Sequence, residues 1–131
     1  MCVFCNIVKG EIPCYKLYED EHVLAFLDIS QVTKGHCLLI TKKHYKNFLE
    51  VSEQDLSYAM MQAQQIAKHL QSVLQCSGFN ILSNIEEVAG QSVFHFHIHI
   101  IPRYTKDDAI KIEFQKSNEQ DLKSLQSLLM K

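Results

Sequence analysis

Chemistry in this chain shows first at Val93 to Pro102, VFHFHIHIIP, where His95, His97 and His99 alternate with apolar residues. Side chains of an extended strand alternate faces. The three imidazoles therefore share one side with Val93 and Ile101, while Phe94, Phe96, Ile98 and Ile100 share the other. Successive histidines stand about 6.5 to 7 Å apart along such a strand, close enough to act on one small ligand. Imidazole titrates near neutrality, so one ring can attack as a neutral nucleophile while another handles a proton, and phosphoryl chemistry uses both roles. Half-buried strand histidines or metal ligands are the plainer alternatives; strict alternation of three favours a reactive site. The pattern predicts an apolar face that buries and a histidine face that does not.

Two further groups accompany the triad. Gly90-Gln91-Ser92, directly before it, offers a glycine for close backbone approach and side-chain donors for phosphate oxygens. Cys2-x-x-Cys5 has the two-cysteine spacing of a zinc knuckle. No second CxxC follows, so histidines must complete a tetrahedral set, and the chain offers His44 and His95; the alternative is two free buried thiols. Cys14, Cys37 and Cys76 read as small apolar residues.

These residues need a frame, and the hydrophobic pattern supplies one. Lys9 to Pro13 reads as a turn, then YKLYED and HVLAFLDI as two strands in a hairpin, and HCLLITKK from His36 as a central strand. Ser52 to Asp55 resembles a capping box, followed by Leu56, Met60, Ala63, Ala67, Leu70 and Leu74 at helical spacing, which predicts one long helix to about Gln75. Cys76-Ser77-Gly78 stops it, FNILSN follows as a strand, IEEVAG as a loop, and QSVFHFHIHII as the last long strand, ended by Pro102. A Ser117 cap ahead of Leu122, Leu125, Leu128 and Leu129 predicts a C-terminal helix.

The 131 residues, 47% hydrophobic and 21% charged, are typical of one globular domain, and no repeat or linker marks a second. A net charge of −2 gives no general footprint for nucleic acid or anionic membranes, so neither is expected as a partner, and any phosphate must be held locally. No apolar run is long enough to span a bilayer. The five cysteines are an odd number and MCVFCNIVKGE lacks the marks of a signal peptide, which predicts a reducing cytoplasm.

HFHIHII resembles the histidine triad (HIT) motif of nucleotide hydrolases and transferases, and LAFLDIS, KGHCLLITKKHY and NILSN…AGQSVFHFHIHIIPRY resemble the family's successive blocks. The resemblance covers residues 2–104 and leaves a helical tail, 105–131, outside. It implies an α+β fold, with an antiparallel sheet of about five strands, one long helix and a C-terminal helix, usually paired into a homodimer. It implies His97 as a nucleophile on a nucleotide α-phosphorus and His99 at the leaving group or reacting phosphate. His36 would orient a ring, Ser92 would contact the phosphate with Asn84 and Gln91 nearby, and Asp28 would accept the ribose hydroxyls. Val3, Phe4, Ile7, Phe26 and Ile29 would form an apolar slot for a purine base.

Similarity to bacterial Hint-like members further implies a closed Cys2, Cys5, His44, His95 zinc site, structural in role, and no organic cofactor. Transferases of the galactose-1-phosphate type carry Gln at the third triad position, where this chain has His99, which points to hydrolysis. The expected reaction releases a purine nucleoside 5′-monophosphate from a leaving group, most simply across a phosphoramidate P–N bond. A dinucleoside polyphosphate hydrolase of the Fhit type and a non-catalytic nucleotide-binding or interaction module are the alternatives. Gln31 departs from the family pattern, standing where many relatives have proline.

Overall fold

In the computed structural model, which describes residues 2–131, the runs Val23 to Phe26 and Cys37 to Ile40 form the centre, because strands apolar at every position can be covered on both sides. The elements in chain order are α1 (Val3–Val8), β1 (Lys16–Glu19), β2 (Val23–Leu27), β3 (Cys37–Thr41), α2 (Glu53–Leu74), β4 (Gly78–Leu82), a 3-10 turn (Glu87–Ala89), β5 (His97–Arg103) and α3 (Leu122–Leu129). The strands make one antiparallel sheet in the order β1-β2-β3-β5-β4. Ile40 pairs with His97 and Leu38 with His99, so the two histidines are set against the most buried strand of the sheet.

Each face of the sheet has its own core. On one, Ala59, Ala63 and Ile66 of α2 pack over Ala25, Leu39, Phe96, Ile98 and Ile100. Small alanines let the helix approach closely, and Ser52 Oγ caps it by accepting from Asp55 N. On the other, Phe4 of α1 covers Leu24, Phe26, Leu38 and Ile40.

Five expectations are corrected. The histidine face does bury: His95 is 0% and His97 6% exposed, because α1, absent from the sequence reading, lies over them. That six-residue helix has no polar cap; Cys2 Sγ accepts from Cys5 N instead, a weak cap with no sequence signature. The last strand begins at His97 rather than Gln91, since the Thr41 carbonyl, which would extend the ladder, accepts from the His95 ring. Phe94 accordingly does not join the buried face and is 40% exposed.

Pro102 lies within β5 instead of ending it, paired with Phe79. Its carbonyl accepts from Thr33 Oγ1 at 2.6 Å, on the side where β3 has already ended, so its missing N–H leaves no ladder bond unmade. The C-terminal helix is capped by Asp121, not Ser117, and all its residues are exposed. No helix among the described residues is long and apolar enough to cross a membrane.

Candidate functional site

The three triad histidines differ in which ring nitrogen the backbone occupies. A carbonyl can only accept, so the 2.7 Å contact between His97 Nδ1 and the His95 carbonyl places the proton on Nδ1 and leaves Nε2 of His97 as a lone pair. His95 is fixed the other way: Nε2–H donates to the Thr41 carbonyl at 2.7 Å and Nδ1 keeps the lone pair. His99 is set through a neighbour. Val32 N donates to His36 Nδ1 at 3.4 Å, so the neutral His36 ring carries its proton on Nε2, 3.0 Å from His99 Nδ1. His99 then accepts at Nδ1 and has its own N–H at Nε2.

Burial lowers the pKa of all three triad rings and of His36. For His99 burial leads, the charges of His97 and His36 act in the same direction, and the ring titrates at about 4. The site is therefore built of neutral imidazoles at pH 7. Asp28 opposes this at His97, His99 and His36, its Oδ2 lying 3.5 Å from His36 Nε2.

A cleft of about 540 Å³ opens in front of these rings. His97, His99, Asp28 and Ser92 line its polar end, and Val3, Phe4, Ile7, Phe26 and Ile29 its apolar walls. Ile12, Cys14 and Tyr15, unmarked by any sequence signal, complete the apolar side. Asn84 and Gln91 do not line it. The Gln91 side chain is buried and bonded to the loop itself, accepting from Glu86 N and donating to the carbonyls of Lys46 and Val93. Asn84 Nδ2 donates to the carbonyl of Gly90, whose φ of +103° only glycine adopts easily. Both hold the loop that presents Ser92.

Cys2, Cys5, His44 and His95 converge beside the cleft, their donor atoms all within 4.8 Å of one another. His44 Nδ1 is 3.2 Å from His95 Nδ1, and the S···N separations are 3.3 Å for Cys2 to His95, 3.3 Å for Cys5 to His44 and 3.5 Å for Cys5 to His95. Tetrahedral zinc, with Zn–N about 2.05 Å and Zn–S about 2.3 Å, separates N from N by about 3.3 Å and S from N by about 3.5 Å. The His95 lone pair is already turned toward the cluster. Donor set, spacing and tautomer all fit a four-coordinate cation.

A HIT domain matches residues 9–106. The chain belongs to the HIT family. It is 46% identical to Protein hit of Bacillus subtilis over 134 residues, covering 99% of this chain and 92% of the relative. Adenylylsulfatase HINT3 of Arabidopsis thaliana is 41% identical over 106 residues, 81% of this chain and 54% of that protein. Among solved structures, a HIT family protein from Bacillus anthracis superposes with a TM-score of 0.92 at 45% identity, covering 98% of this chain and 92% of that one. A zinc-bound histidine triad family protein from Mycobacterium smegmatis superposes with a TM-score of 0.78 at 34% identity, covering 97% and 96%.

In this HIT chain the turn from Asp28 to His36 is pinned by the departure noted at Gln31. Its Nε2 donates to the carbonyls of Asp28 and His36, and its Oε1 accepts from Gly35 N at 2.8 Å. Gly35 must stay glycine: its φ is +95°, and a Cβ there would come within 2.5 Å of Leu74 Cδ1. The turn thus fixes both Asp28 and His36 against β5. Sequence reasoning missed the backbone groups that set the tautomers, Thr41 C=O and Val32 N–H, because every residue has them.

Proposed function

We propose that this protein hydrolyses a purine nucleoside 5′-monophosphate derivative through a covalent nucleotidyl-histidine. The observation that carries the reading is the His97 tautomer: its only lone pair is Nε2, on a ring that lines the cleft and is neutral at pH 7. The base lies between Phe4, Ile7, Phe26 and Ile29, the ribose hydroxyls donate to Asp28, and the α-phosphate meets Ser92.

His97 Nε2 attacks the α-phosphorus as the bond to the leaving group breaks. A bound phosphate raises the pKa of His99 by opposite charge, and the protonated ring delivers its proton to the departing nitrogen or oxygen. Water then attacks the phosphorus as the P–N bond to His97 breaks, one of its protons passing to the now neutral His99, so that the monophosphate leaves and the His97 ring is again neutral. Cys2, Cys5, His44 and His95 would hold zinc, which would supply a structural anchor rather than chemistry at the phosphate. The similarity to an adenylylsulfatase supports a substrate with an adenylyl half, and a phosphoramidate P–N bond is the leaving-group linkage we favour.

The protein is a cytoplasmic homodimer in this reading, pairing through the free edge of β4, where Ile81 is 43% exposed. Light scattering should give twice the 15.1 kDa chain mass.

The test incubates wild type and His97→Ala with adenosine 5′-phosphoramidate, adenosine 5′-phosphosulfate and diadenosine triphosphate, following AMP release and intact mass. Expected are AMP from the phosphoramidate, a transient nucleotidyl adduct on wild type, and a rate loss in His97→Ala on the order of 10⁴-fold or more. Preference for the triphosphate would move the assignment to a dinucleoside polyphosphate hydrolase. AMP binding without turnover of any substrate would leave a binding module.

A further inference from the structure

The four-donor cluster and the nucleotide cleft share one element. Cys2 caps α1 and Cys5 lies within it, so a six-residue helix and its N-cap supply two of the four cluster donors. Between them stands Phe4, whose ring meets His97 edge-on at 5.1 Å and 90°, His95 at 5.9 Å and Phe26 at 5.7 Å. Val3, Phe4 and Ile7 of the same helix line the cleft. A helix this short has no stability of its own, and its position depends on what pins it. Phe4 pins its buried side, and the cluster pins its N-terminal end.

The two sites also adjoin at the surface. A second hollow of about 510 Å³, lined by Cys2 and His44, shares Val3, Ser92 and Val93 with the nucleotide cleft. His44 is exposed and both thiols are partly so, which lets a cation enter without passing through the cleft.

We propose that cation binding at Cys2, Cys5, His44 and His95 tightens nucleotide binding in the neighbouring cleft, with α1 as the shared element and Phe4 as the residue that couples them. This rests on the nucleotide-hydrolase reading above. With the cation bound, α1 is held as a fixed wall against the base and over the His97 ring. With the cation removed, two thiols and two imidazoles crowd one another and the N-terminal anchor of that wall relaxes. Linkage then requires nucleotide to tighten the cation by the same factor. Phe4 lines the base slot and also packs edge-on against His97, outside the reacting atoms.

The experiment measures AMP affinity by calorimetry on zinc-loaded and chelator-treated protein, and zinc affinity by chelator competition with and without saturating AMP. Wild type, Phe4→Leu and Phe4→Ala are compared. Expected is a coupling factor of about tenfold, equal in both directions. It should fall close to one in Phe4→Ala and return in Phe4→Leu. The readout is the ratio between metal states, from which any loss of AMP affinity common to both states cancels.

If the chelated protein unfolds, the zinc competition still yields the factor, and the Phe4→Ala comparison separates α1 coupling from global folding. AMP binding equally well with and without zinc would overturn the coupling while leaving the hydrolase reading intact. A factor undiminished in Phe4→Ala would overturn the role of Phe4. AMP binding in neither state would overturn both readings.

Discussion

His95 and His36 are both buried imidazoles at the heart of three- or four-residue groups, Cys2-Cys5-His44-His95 and Asp28-His36-His99, yet they are prepared for opposite tasks. At His95 a carbonyl, Thr41 C=O, takes the ring N–H and leaves a lone pair facing the cluster. At His36 an amide, Val32 N–H, occupies the lone pair and leaves an N–H facing His99 and Asp28. The first ring can receive a cation. The second presents a hydrogen-bond donor, so its own ring offers no lone pair to a cation although the donor atoms of the Asp28 group are as close as those of a metal site. One backbone dipole, turned one way or the other, decides whether the ring faces its neighbours with a lone pair or with an N–H.

The sharpest way to break this contrast is to remove a donor from each group. Cys5→Ser should weaken zinc retention on the order of 10³-fold, read by chelator competition, because a thiolate is replaced by a poor ligand. His99→Gln should keep zinc fully and lower turnover about 10²- to 10⁴-fold, since it removes the ring that serves the leaving group. His36→Gln should likewise keep zinc and cost about 10²-fold in kcat by freeing the orientation of His99. Zinc loss in His36→Gln would show that the Asp28 group holds metal after all.

The smallest effect is on stability against pH. His99 titrates near 6.5 when unperturbed and at about 4 in the fold, so above pH 6.5 neither folded nor unfolded chain binds its proton. As pH falls from 6.5 toward 4 the unfolded chain takes up a proton that the folded chain refuses, and stability drops until both forms are protonated. Urea midpoints at pH 7, 5.5 and 4.5 should therefore decline less in His99→Gln than in wild type. Equal slopes would mean that His99 is not a half-buried neutral ring in the fold.

Much of the frame was legible along the chain. Ser52 and the spacing from Leu56 to Leu74 foretold α2, and the unbroken apolar runs foretold β2 and β3, because both patterns are local. α1 was not legible: six residues give too short a period, and its cap is a cysteine. The start of β5 was misplaced for the same kind of reason, since alternation continues through Phe94 while the pairing partner has already been claimed by His95. At the site, His97, His99, Asp28 and the apolar slot residues do meet in one cleft, whereas Gln91 and Asn84, adjacent in sequence pattern, turn into the loop that carries Ser92.

The sequence alone determined the family, the strand and helix that frame the site, and the residue types available to it, because alternation, capping and side-chain chemistry are written locally. Only the tertiary structure decided which nitrogen of each histidine is free, that the histidine face is covered, and that cysteines near the start of the chain stand beside a histidine 90 residues on. Those depend on where backbone carbonyls and amides of distant segments come to rest, and each residue carries the same two groups whatever its side chain.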